Sequence, residues 1–257
     1  MMWRNVFYMN NKSEKWLLID NSNTRTKLMF AVEEKLTEEL FYIPTAELTV
    51  DKIRAVVGDV AVSLVVVCSV VPQCRAVISA AFSCPVHFVS VDSPMNMRFS
   101  YDGTSTLGAD RIVNALAVSE LCDAPCIAVD AGTATTFDVV VPQNDVPVYI
   151  GGAIAPGLSA YCHYLHQNTA QLPRVSVSST CPAIGKNTVQ AIQSASLHGF
   201  CGMVKAIIEA MESELKSPLH VFLTGGDGAL PLQNGKMAGK YVKCLTFCGL
   251  LHIARRL

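Results

Sequence analysis

Two stretches of this chain follow one plan: an apolar strand, a polar turn carrying a carboxylate and hydroxyls, and a returning strand. One runs from Ile127 to Val140, through Asp130-Ala131-Gly132-Thr133-Ala134-Thr135-Thr136. The other runs from Leu17 to Leu28, through Asp20-Asn21-Ser22-Asn23-Thr24-Arg25-Thr26-Lys27. Aligned without gaps, Asp20 falls on Asp130, Ser22 on Gly132 and Thr26 on Thr136, an offset of 110 residues in a chain of 257. A repeat at nearly half the chain length constrains the fold to two similar halves, each bringing one turn.

The order of elements supports the duplication. In the first half, strands are expected over 16–20, 26–31 and 36–43, a helix over 48–57, a strand over 63–69, a helix from Pro72 to Ala81 and a short strand over 86–89. The β-branched run Leu64-Val65-Val66-Val67 suits a strand covered on both faces. Residues 91–108 lack periodicity and read as loop, and 110–121 reads as a helix with Ile112, Val113, Leu116 and Ala117 on one side. The second half repeats the plan: a hairpin over 127–141, a segment from Val148 into the loop Gly151-Gly152-Ala153-Ile154-Ala155-Pro156-Gly157, and a helix to His166. A long helix over 187–214, a strand over 219–223 and a closing helix over 245–256 follow. Each half is therefore a mixed sheet flanked by helices, an α/β architecture. The expected division is a leader over 1–15, halves over 16–118 and 119–257, and a final helix able to pack back on the first half. Met9 is an alternative start.

Composition excludes several classes of function. Hydrophobic residues make up 51% and charged residues 16%, so the chain buries a full core. A net charge of −1 argues against nucleic acid or an anionic membrane as partner. The longest apolar run, around 60–71, is too short to span a bilayer and is broken by Ser63 and Ser69. None of the ten cysteines forms a Cys-x-x-Cys pair, and most sit in apolar runs, as reduced core thiols do. Cys162, His163 and His166 share a helical spacing but have no second ligand cluster elsewhere in the sequence.

The turns are suited to phosphate chemistry. Small residues let backbone N–H groups approach phosphate oxygens, and a strand-end Asp can hold a cation or its water shell beside them. Arg25 and Lys27 can neutralise charge. One such turn is also what an ordinary hairpin looks like; two matched turns can face each other and clamp a polyphosphate. Thr224-Gly225-Gly226-Asp227 ends a strand with adjacent glycines, against which a flat base or ribose can lie. Leu107-Gly108-Ala109-Asp110-Arg111 sets an Asp and an Arg at a helix start. Asp110 caps such a helix in the bland reading. In the functional one Asp110 accepts a hydroxyl proton and Arg111 binds a carboxylate.

These five motifs, in this order and spacing from about Trp16 to the C-terminus, resemble the type III pantothenate kinases of the actin-like, sugar-kinase-like phosphotransferase superfamily. The resemblance implies two actin-like, ribonuclease H-like halves with the active site in the cleft between them. It implies ATP-dependent phosphorylation of pantothenate, the first step of coenzyme A synthesis, by a cytoplasmic homodimer. The expected cofactors are ATP, a divalent cation such as Mg2+, and a monovalent cation, K+ or NH4+. By position, Asp20, Asn21, Ser22, Asn23, Thr24, Arg25, Thr26, Lys27 and Thr133 would contact ATP, with Asp20 at the divalent cation. Asp110 would be the proton acceptor. Tyr101, Gly108, Ala109, Asp110 and Arg111 would line the pantothenate site, joined by Thr188 from the same or the partner subunit, and Asp130 would hold the monovalent cation.

One position departs from the family pattern Asp-x-Gly-Asn-Thr: Ser22 stands for the glycine. At positive φ a serine there costs about 1 kcal/mol or more, and at ordinary φ it only adds a hydroxyl. Two other readings stay open at this stage, a non-catalytic nucleotide-binding regulator on the same scaffold and a kinase of another small hydroxy acid or sugar.

Overall fold

The structure is a computed structural model that describes residues 14–234 and 237–257. Residues 1–13 of the expected leader, Met9 among them, lie outside the described residues.

The first sheet is built from β1 (Lys15–Asn21), β2 (Arg25–Val32), β3 (Lys35–Pro44), β4 (Leu64–Ser69) and β5 (Val86–Phe88), in the order β3-β2-β1-β4-β5. β1, β2 and β3 run antiparallel, and β4 and β5 join in parallel. The second sheet contains β6 (Arg98–Phe99), β7 (Cys126–Ala131), β8 (Ala134–Gln143), β9 (Val146–Pro156), β10 (His220–Thr224) and β11 (Lys240–Tyr241), in the order β11-β10-β7-β8-β9-β6. Read from β9, next to the β6 edge, it runs β9-β8-β7-β10-β11, the topology of the first sheet with the same strand directions. The repeat seen in two turns thus extends to the connectivity of both halves.

Strand alternation divides each sheet into two apolar faces. On β1, Leu17 and Ile19 face an outer cluster with α1 (Val50–Val57) and α2 (Cys74–Ala80), while Trp16 and Leu18 face inward. α1 starts where the Thr49 side chain accepts a hydrogen bond from the Lys52 N–H at 3.2 Å. On β7, Ile127 and Val129 face α4 (Leu158–Gln167) and α5 (Thr188–Leu215), while Cys126 and Ala128 face inward. Between the two inner faces lie α3 (Ala109–Ser119) and α7 (Leu245–Ala254). The closing helix α7 packs on α3 and on β1 and β4 of the first sheet. Arg255 reaches Glu34, its Nη2 donating to the backbone carbonyl at 2.6 Å.

Three expectations needed revision. The segment 91–108 is not all loop, because Arg98–Phe99 pairs in parallel with Val148 and Tyr149 at the second sheet's edge. Two residues are too few to show a strand period. Gly151–Pro156 is not a loop but the end of β9, with Gly151 at φ 113° and a register shift between Val139 and Val140. A Cβ on Gly152 would stand 1.6 Å from the Phe137 carbonyl oxygen, so only glycine lets β9 lie this close to β8. Finally, α3 has no solvent stripe: every residue from Arg111 to Ser119 is buried, since a sheet or α7 covers each side.

Where α3 and α7 cross, a Cβ on Gly249 would meet the Val113 carbonyl oxygen at 2.0 Å. Gly249→Ala is expected to lower unfolding free energy by about 1–3 kcal/mol in urea titration, the usual cost of overpacking. Gly199→Ala, on α5 with open space around it, should leave stability equal or higher.

Candidate active site

The two turns face each other across the cleft, and the Thr24 and Thr133 hydroxyls approach to 3.3 Å. The first turn is braced from within. Asn21 donates to Thr26 Oγ1 at 2.8 Å and accepts from Ser69 at 2.7 Å, and Thr45 donates to the Ser22 carbonyl at 2.7 Å. Asn21 and Thr26 are buried, so their side chains shape the turn, while Asn23, Thr24 and Arg25 are exposed at its tip. The second turn is held by Gly157, whose N–H donates to the Thr133 carbonyl at 3.2 Å.

Ser22 does not lie among the residues with positive φ. Its hydroxyl donates to Asp20 Oδ1 at 2.8 Å, while Lys27 Nζ pairs with Asp20 Oδ2, also at 2.8 Å. Lys27 sits directly across the β1–β2 ladder from Asp20. Burial works against its charge, but Asp20 and Asp130 beside it prevail and hold its pKa above the ordinary value.

Asp130 is the penultimate residue of β7, and Gly225 (φ 84°) passes so close that a Cβ there would sit 2.6 Å from Asp130 Oδ1. Asn114 donates to Asp130 Oδ2 at 3.0 Å and accepts from Thr246 of α7 at 3.0 Å, which fixes the amide's orientation. Burial and the Asp20 charge push the Asp130 carboxyl up to about 6. Asp20, Lys27, Asp130, Thr224, Gly225 and Lys243 line part of a cavity of about 280 Å³ between the halves.

Asp110 stands in the first turn of α3, with Oδ1 accepting from the Arg111 N–H at 2.9 Å. A Cβ on Gly108 would lie 2.5 Å from that oxygen, so the glycine makes room for the carboxylate. Burial, reinforced by Asp20, pushes Asp110 up against the pull of Arg111. Asp20, Asp110 and Asp130 therefore share one electrostatic environment. Arg111 itself is not free. Its Nε donates to Asp138 Oδ1 at 2.7 Å and its Nη2 to the Phe137 carbonyl at 3.3 Å. Tyr149 donates to the same Asp138 oxygen at 3.1 Å, and Tyr101 stands edge-on to Tyr149 and beside Gly151. Ala109 is buried behind Asp110. Thr188 opens α5 on the outer layer, exposed, in a turn capped by Asn187.

The sequence reading did not single out Asn114, Asp138, Tyr149 or Thr246. Two left a signal. Asn114 lies one helical turn from Asp110 on the same face, and Asp138 is a lone carboxylate in an apolar strand. Cys162 is buried against Ser196, and no cluster of three His, Cys, Asp or Glu able to hold a metal occurs among the described residues. Asp20 and Asp130 line the cleft cavity with carboxylate oxygens, the donor type that Mg2+ or K+ takes.

A family model of type III pantothenate kinase matches residues 16–210. The type III pantothenate kinase of Akkermansia muciniphila is 41% identical over 215 residues, 84% of this chain and 88% of that protein. That of Methylacidiphilum infernorum is 34% identical over 236 residues, 91% and 86% of the two chains. Among solved structures, one described as a Baf family transcriptional activator from Campylobacter jejuni superposes with a TM-score of 0.60 at 19% identity, over 93% of this chain and 97% of that one. A ROK family glucokinase from Streptomyces griseus in complex with glucose and AMPPNP gives 0.52 at 13%, over 94% and 98%. The fold is that of two actin-like halves with a cleft between them.

The Asp130 carboxyl carries a stability prediction. Its pKa is raised in the fold, so the folded chain keeps a proton that the unfolded chain gives up, and stability falls as pH rises from about 4 to about 6. In buffer without Mg2+, K+ or NH4+ at pH 7.5, Asp130→Asn should raise unfolding free energy by about 1–3 kcal/mol in urea titration. At pH 4 the gain should vanish.

Proposed function

The chain belongs to the type III pantothenate kinase family, and we propose that it uses ATP to phosphorylate pantothenate at its terminal hydroxyl, the first step of coenzyme A synthesis. The observation that carries this reading is the Asp110 carboxylate. It stands at the start of a fully packed helix, shares its field with Asp20 and Asp130, and is pushed up by burial toward the range of a working base.

In this reading Asp110 Oδ1 stays anchored by the Arg111 N–H, and Oδ2 accepts the hydroxyl proton. Gly108, Ala109 and Tyr101 shape the acceptor site, and Arg111 receives the acceptor's carboxylate. The phosphates lie between the 20–27 turn and Thr133, where Arg25, Lys27 and the Ser22 to Thr24 backbone offset their charge. Phosphoryl transfer needs positioning and charge neutralisation more than covalent help, and these parts supply both. A divalent cation bound with ATP supplies charge neutralisation on the phosphates, and Asp20 would hold it through its water shell. Asp130, steadied by Asn114, would hold a monovalent cation, K+ or NH4+. The two halves are read as 16–118 and 119–257, with β6 joining the second sheet and α7 lying on the first. The reading also places the protein in the cytoplasm as a homodimer, with exposed Thr188 reaching a partner's pantothenate. No helix among the described residues is long and apolar enough to cross a membrane. The regulator alternative rested on Ser22, and its support is removed by the residue's ordinary φ and its hydrogen bond to Asp20.

A coupled ADP-release assay with pantothenate, ATP, Mg2+ and K+ tests the reading. Asp110→Asn is expected to lower kcat by about 100-fold or more while ATP affinity stays within about twofold. Unchanged turnover would refute the base assignment, and no pantothenate-dependent turnover in folded wild-type protein would sink the function. Omitting K+ should lower the wild-type rate.

A further inference from the structure

Asp138 is fully buried, yet only half of its carboxylate is used. Oδ1 accepts both Arg111 Nε and the Tyr149 hydroxyl, whereas Oδ2 has no hydrogen-bond partner among the described residues. An orphaned buried carboxylate oxygen is costly and calls for a reason. The guanidinium that the acceptor site relies on is thus already balanced by an internal anion. A carboxylate arriving at Arg111 brings a second negative charge to one cation, with Asp110 one residue away. In a buried setting, repulsion between two carboxylates sharing one guanidinium pushes one of them toward its protonated form.

We propose that Asp138 is a positioning residue which makes recognition of the acceptor's charge proton-coupled. It holds Arg111 through Nε, and when an acceptor carboxylate pairs with the guanidinium, a proton from solvent forms an O–H bond at Asp138 Oδ2. The proton returns to solvent when the acceptor leaves. This rests on the kinase reading above. The charged and titratable groups facing Asp138 are Arg111 and Asp110 from α3 and Tyr149 from β9, while Tyr101 borders Tyr149. Its ladder neighbours Ala128 and Gly152 carry no charge. Burial already pushes the Asp138 carboxyl up to about 7 in spite of Arg111, so little further shift is needed for full protonation.

The test compares kcat/KM for pantothenate with that for its primary-amide analogue between pH 6 and 9. Taking the ratio of the two cancels the contributions of Asp110 and of ATP. The wild-type ratio of acid to amide should be level below about pH 7 and fall by up to about tenfold per pH unit above it, the limit for one proton. Asp138→Asn, which keeps the shape and an acceptor for Nε, should give a level ratio throughout. A level wild-type ratio, or a slope retained in Asp138→Asn, overturns the inference alone. Loss of turnover with both acceptors in wild type overturns the kinase reading with it. If the variant does not fold, calorimetry on wild type decides: pantothenate binding at pH 8, measured in phosphate and in Tris, should show up to about one proton taken up. None taken up overturns the proposal.

Discussion

The cleft depends on a helix that has no solvent face. α3 is packed between two sheets and α7, and its residues from Arg111 to Ser119 are buried. Burial on all sides fixes both its rotation and its height. Its first turn then sets Asp110 in the field of Asp20, its third residue, Arg111, reaches Asp138, and one turn on from Asp110 the Asn114 amide reaches Asp130. Two contacts to two strands, β8 and β7, descend from a single rigid body. The helix–helix crossing at Gly249 belongs to the same constraint, since the Val113 carbonyl leaves no room there for a side chain.

Charge in the cleft is concentrated and only partly balanced. Asp20, Asp110 and Asp130 lie within reach of one another's fields, and Lys27 is shared between two of them. Such an arrangement weakens the empty fold, because buried carboxylates are desolvated and repel each other. It also leaves the site ready for cations and for a proton, which relieve the same strain. Stability and function draw on these residues in opposite directions, as they often do at working sites.

Much of the fold was legible in the sequence. The strands around Asp20 and Asp130 stood out because apolar runs ending in a polar turn are a strong local signal, and the repeat extended that signal to the topology. What remained hidden was long-range. The two-sided burial of α3 depends on α7, whose sequence lies more than a hundred residues away. β6 is a strand only because β9 offers it an edge. Gly151 and Gly152 read as loop because glycine marks both loops and close strand approaches, and only the Phe137 carbonyl beside them decides between the two. For the site, Asp110 and both turns could be read from local chemistry. Arg111 looked free because its partner Asp138 is 27 residues further on and is the one charged residue of a strand read for its apolar run.

The position of α7 also bears on how the chain is made. The inner face of the first sheet, with Trp16, Leu18 and Val66, is covered in part by residues as late as Ile253 and Ala254. A chain growing on the ribosome therefore leaves that apolar face partly uncovered until α7 has emerged. The first sheet can form early, but the covering of its inner face waits for α7.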